Sequence, residues 1–78
     1  MNNKRRQALQ KIIDLITTAQ EDVEDLRDEE EEYRDNIPES LRASQVYTTA
    51  DEAADQLQEA ADALADTIEN LQSAQGEQ

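Results

Sequence analysis

Seventy-eight residues carry 20 Asp and Glu against 7 Lys and Arg, a formal charge of −13, with no histidine and no cysteine. Those absences exclude disulfide scaffolds, thiolate or imidazole chemistry and Cys/His zinc sites. One Gly, one Pro and two aromatics, Tyr33 and Tyr47, are too few for the turns and core of a β fold, which leaves an all-α chain.

Lys4, Arg5 and Arg6 make a basic start, but Gln10, Lys11 and Asp14 break the apolar positions that follow, so no signal-peptide core forms. No stretch approaches the ~18 apolar residues of a membrane span. A soluble cytoplasmic chain with no membrane partner is therefore expected.

The first predicted element is a helix over about 3–36. Leu9, Ile12, Ile16, Ala19, Val23, Leu26, Glu30, Tyr33 and Ile37 follow one another at alternating steps of three and four, a heptad seam with Glu30 as its polar member. Ile13 and Leu15 lie beside this seam. Such periodicity argues against the disorder that 35% charged residues would otherwise imply. A loop over about 37–44 follows, because Pro38 disfavours helical geometry at Ile37; proline is also well placed to open a short helical turn of its own.

The second helix is expected over about 45–74, with a tail at 75–78. Its seam runs through Ala43, Tyr47, Ala50, Ala54, Leu57, Ala61, Leu64, Ile68 and Leu71. Two starts compete: Ser44 as cap, or Thr49-Ala50-Asp51-Glu52 as a capping box. Gly76 stands where a helix end is expected.

Folding the helices back on each other pairs residues whose numbers add to 80, from Leu9 with Leu71 to Tyr33 with Tyr47, and only the layer of Glu30 with Ala50 is not apolar throughout. The predicted fold is a two-helix antiparallel coiled-coil hairpin. Chains of this size without disulfide or metal commonly need a partner to bury enough surface. A homodimer, as a four-helix bundle, is expected to form through the open end, using Leu9, Ile12, Ile13, Leu15, Ile16, Leu64, Ile68 and Leu71.

Charge is unevenly distributed. Residues 1–19 carry four cations and one anion, residues 20–39 two cations and eleven anions, and residues 40–78 one cation and eight anions. Lys4, Arg5, Arg6 and Lys11 oppose the macrodipole of the first helix, so helix stability does not explain them; Asp66 and Glu69 are the expected counter-charges. Four cations on so acidic a body bind polyanions poorly, which argues against direct nucleic-acid binding.

Glu52, Asp55, Glu59, Asp62, Asp66 and Glu69 repeat at steps of three and four and form one carboxylate row opposite the second seam. The first helix is expected to add Glu21, Glu24, Asp28, Glu31 and Asp35. Two readings of these rows stand side by side: a solvated face that keeps a small protein soluble, or a rigid acidic surface that binds a basic groove as a nucleic-acid mimic. No EF-hand loop, P-loop, dinucleotide motif or nucleophile elbow occurs, so no metal, cofactor or catalytic residue is expected. Tyr33 and Tyr47 are expected to stack within the seam, and Glu30 to set its register.

The loop Asn36-Ile37-Pro38-Glu39-Ser40-Leu41-Arg42, preceded by Arg34-Asp35 and followed by an Asp/Glu/Ala-rich helix, resembles small acidic helical-hairpin proteins of bacteriophages and prophages, which carry N-[IM]-P-E-[SN]-L between two charged helices. The resemblance implies a phage-associated protein in the cytoplasm of an infected or lysogenic bacterium, with a role against host machinery such as a DNA-binding factor. It transfers no functional residue. The shape is also similar to the dimeric hairpins that bind RNA in plasmid copy control, but the charge of −13 counts against RNA. A non-enzymatic interaction protein is the function expected, with a structural homo-oligomeric coiled coil as the alternative.

Overall fold

A computed structural model of the chain describes residues 1–76. It is an all-α helical hairpin: α1 spans Asn3–Asp35 and α2 spans Gln45–Gly76, joined by a single 3-10 turn at Glu39–Leu41. The rod measures 59 × 14 × 12 Å, one helix pair thick. Residues 77–78 of the expected tail lie outside the described residues, and 75–76 continue α2.

Asn2 caps α1, its Oδ1 accepting from the Arg5 amide at 2.8 Å. The helix stops at the residues before proline, where the Asn36 amide still donates to the Glu32 carbonyl at 3.0 Å and Ile37 to Arg34 at 3.1 Å. Ile37 turns inward and is 8% exposed, so it plugs the closed end. Pro38 opens the 3-10 turn, which Leu41 closes by donating to the Pro38 carbonyl at 2.8 Å. Of the two competing starts for α2, Ser44 is the one used: its Oγ accepts from the Tyr47 amide at 3.4 Å and its carbonyl from Thr48 at 3.2 Å. Ala43 therefore lies before the helix and is exposed, outside the seam expected to begin with it.

From Tyr47 onward the α2 seam is as expected. Ala50, Ala54 and Ala61 are each 2% exposed, and Tyr47, Leu57, Leu64, Ile68 and Leu71 are half-buried beside them. The α1 seam differs. Leu9, Ile16, Val23, Glu30 and Ile37 face α2, but every intervening position is rotated by one residue. Ile13, Gln20, Arg27 and Arg34 turn inward where Ile12, Ala19, Leu26 and Tyr33 were expected. Ile13 is 3% exposed and belongs to the hairpin core, whereas Ile12, Leu26 and Tyr33 are about half exposed and Leu15 is 72% exposed.

The reason is the size of the facing residues. Alanines at 50, 54 and 61 leave room for the apolar stem of a long side chain whose charged head emerges at the edge. Arg27 and Arg34 fill that space, and their heads bond to Gln58 and Asp51 on α2. Tyr33 does not stack on Tyr47; the Tyr47 ring instead lies under the Arg42 guanidinium, 6.0 Å from its centroid.

Because Ile13 carries the largest share of the tight packing on α1, Ile13→Ala should cost about 2–4 kcal/mol in urea denaturation. Leu41→Ala, at a position 52% exposed, should stay within about 0.5 kcal/mol of the parent.

Candidate functional site

One flank of the hairpin is closed by polar bonds between the helices. Arg27 donates through Nη1 to Gln58 Oε1 at 2.8 Å while its Nη2 pairs with Asp28 at 2.8 Å. Arg34 bridges Asp35 at 3.0 Å and Asp51 at 2.9 Å. Near the open end, Gln75 Nε2 donates to Gln10 Oε1 at 2.7 Å and to the Arg6 carbonyl at 3.4 Å. The pairs 27 with 58, 34 with 51 and 10 with 75 all add to 85, so these bonds share one register, five residues from the sum of 80 expected for the seam.

Both clasping arginines are held above their already high ordinary pKa, Arg27 chiefly by its hydrogen bond to Asp28 and Arg34 by its bonds to Asp35 and Asp51. Their placement also explains Glu24 and Glu31. These two residues are half-buried on the clasp flank beside Arg27, not on the outer face.

The other acidic residues of interest face solvent. Glu52, Asp55, Glu59, Asp62, Asp66 and Glu69 are all exposed and form one outward row along α2. Only Asp62 is engaged by a neighbouring side chain, accepting from Gln58 at 2.9 Å. On α1 the outward row reads Glu21, Asp25, Asp28, Glu32 and Asp35, all exposed and again alternating by four and three. Asp25 and Glu32 take the places assigned from sequence to Glu24 and Glu31. The signal was the same rotation of α1 that exchanges Ile12 for Ile13.

The basic head has a different neighbourhood from the one expected. Among the described residues the ion pairs are Arg27 with Asp28 and Arg34 with Asp35 and Asp51, so neither Asp66 nor Glu69 neutralises Lys4, Arg5, Arg6 or Lys11. Arg6 turns toward the hairpin and donates to Asn3 Oδ1 at 3.4 Å; Lys4, Arg5 and Lys11 point to solvent. Of the residues assigned to an oligomer interface, Ile13 is core and Leu9, Ile16, Leu64, Ile68 and Leu71 are half-buried in the hairpin seam. Ile12 and Leu15 are left exposed.

No pocket and no group of three or more potential metal ligands occurs among the described residues, and none of their helices is long and apolar enough to cross a membrane. No family model matches the chain, and neither a curated protein nor a solved structure matches it. What the surface offers chemically is fixed charge on a stiff frame.

Arg34 is the clasp nearest the loop, so Arg34→Ala should speed hydrogen exchange at amides 47–54 while amides 64–71 keep the parent rates. Equal acceleration along α2 would show that the clasp does not act locally.

Proposed function

We propose that this chain is a non-enzymatic, homodimeric interaction protein that binds a basic protein partner through its acidic helical faces, as a nucleic-acid mimic or inhibitor of host machinery. A phage-associated origin and the bacterial cytoplasm as its place of action belong to the same reading, supported by the Asn36–Arg42 loop. The observation that carries the proposal is the α2 row of six exposed carboxylates, none of them in an ion pair with a described residue.

Electrostatics supports it in magnitude. Steps averaging three and a half residues place a carboxylate about every 5 Å along a helix. The α2 row alone thus carries about a third of the charge density of duplex DNA, one charge per ~1.7 Å, whereas on α1 Asp28 and Asp35 are already paired with Arg27 and Arg34. Helices hold these charges at fixed intervals, so a basic groove meets them without ordering a flexible chain. Residues 40–78 contain a single cation, Arg42, near the loop, so the α2 row is not neutralised by its own helix.

Immobilised protein should therefore retain a basic bacterial protein at about 50 mM salt and lose at least roughly tenfold of that affinity by about 200 mM. The row variant Glu52→Gln, Asp55→Asn, Glu59→Gln, Asp62→Asn should lose it at both concentrations. Retention insensitive to both salt and these substitutions would refute acidic recognition, and recovery of the chain alone would favour a homo-oligomeric scaffold whose carboxylates serve solubility.

A further inference from the structure

The rotation of α1 that buries Ile13 leaves an apolar stripe with nothing against it. Ile12, Leu15, Ala19, Leu26 and Tyr33 are all exposed and occupy the alternating positions of a second heptad seam, on the flank opposite the polar clasps. Arg5, Ala8, Asp22 and Glu29 complete that register. The neighbouring edge of α2 carries Val46, Ala53 and Ala60 at heptad spacing, small enough to let another helix approach. The hairpin exposes 5648 Å², against about 4,800 Å² for a compact monomer of its mass. That excess of roughly 850 Å² is close to the ~800 Å² that each partner contributes to a standard interface.

The flanking charges say what covers the stripe. Bordering it on the side away from α2 are Lys4, Lys11, Thr18, Asp25 and Glu32, one per heptad and all exposed: two cations, a neutral residue, two anions. This column is complementary to its own reversed copy. A two-fold symmetric interface requires that kind of self-complementarity.

We propose that two copies of this chain associate through α1, antiparallel, about a two-fold axis beside Thr18, so that Lys4 and Lys11 of each copy face Glu32 and Asp25 of the other. The inference rests on the homodimer part of the reading above and specifies how the copies meet. In the stripe itself, residues whose numbers add to 34 then form the layers. Arg5 meets Glu29, Ala8 meets Leu26 and Leu15 meets Ala19, which sets both leucines against alanine and the stripe's only cation against an anion, while Tyr33 meets Met1. Ile12 against Asp22 is the one mismatched layer.

Other arrangements fare worse on the same observations. A parallel pair would set the Lys4, Lys11, Asp25 and Glu32 column against the Leu9, Ile16, Val23 and Glu30 flank of the other copy, which offers the lysines no counter-charge. Packing α1 on α2 of the second copy would bring the lysines to Thr49, Gln56, Ala63 and Asn70, an uncharged edge. The antiparallel pair also accounts for Lys4 and Lys11, which oppose the α1 macrodipole and make no ion pair among the described residues. The α2 carboxylate row stays on the outside of the assembly, displayed twice.

The native chain has no cysteine, so introduced thiols report geometry directly. Under mild oxidation Thr18→Cys should cross-link to itself. Lys11→Cys alone should not, but should cross-link when mixed with Asp25→Cys. In sedimentation equilibrium, Leu15→Glu should yield monomer with unchanged helical circular dichroism, and Asp22→Leu should tighten the dimer by about tenfold or more through the mismatched layer. Lys4→Glu with Lys11→Glu should weaken it by about tenfold or more, and adding Asp25→Lys with Glu32→Lys should restore it. A dimer in which Lys11→Cys links to itself, or which Leu15→Glu leaves intact, would overturn this interface while sparing the homodimer. A parent chain that is monomeric at several hundred micromolar would overturn both.

Discussion

The close fit of α1 onto three alanines of α2 determines the rest of the structure. Ala50, Ala54 and Ala61 are the most buried residues in the molecule, and their small side chains bring the helices near enough that α1 chooses one of two almost equivalent faces. Both faces share Leu9, Ile16, Val23, Glu30 and Ile37. They differ in whether Ile12, Leu26 and Tyr33 or Ile13, Arg27 and Arg34 complete the seam. A count of apolar atoms favours the first set. The second set wins because arginine stems cover alanine while their heads bond across to Gln58 and, as a charge pair, to Asp51, which an apolar leucine and a neutral tyrosine cannot match.

Everything distinctive about the surface follows from that choice. The hairpin acquires a polar, clasped flank and, opposite it, an apolar flank that it cannot cover alone. Because the same turn of α1 moves Glu24 and Glu31 toward the clasps, the outward carboxylates become Glu21, Asp25, Asp28, Glu32 and Asp35. Two of those, Asp25 and Glu32, also border the apolar stripe. One rotation thus sets a clasped flank, an exposed apolar stripe and an outward row of carboxylates around α1.

Much of this is legible in the sequence. Val46, Ala53 and Ala60 offer α2 a second phase beside Tyr47, Ala54 and Ala61, but Ile68 against Thr67 and the bulk of Tyr47 favour the first, and Tyr47 through Leu71 lie where that spacing puts them. Pro38 marks the reversal for a local reason, and Ser44 caps because the loop ends there. The α1 seam was ambiguous because residues 12 and 13 are both isoleucine and the later choices set leucine and tyrosine against arginine. Heptad reading scores side chains as apolar or polar, and it cannot credit the stem of Arg27 to the core and its head to the edge. The acidic row of α1 inherited the same error, whereas that of α2 did not.

The rotation of α1 is therefore the claim to test first, and adjacent isoleucines allow it. Single cysteines at 12 and 13 should be compared for thiol labelling in dilute solution, where the chain is verified as monomeric by light scattering. The structure predicts that Ile12→Cys reacts at nearly the rate of an unstructured peptide and Ile13→Cys many-fold more slowly. The reverse order, with position 12 protected and position 13 reactive, would contradict the seam and with it the exposed stripe and the placement of the acidic row on α1.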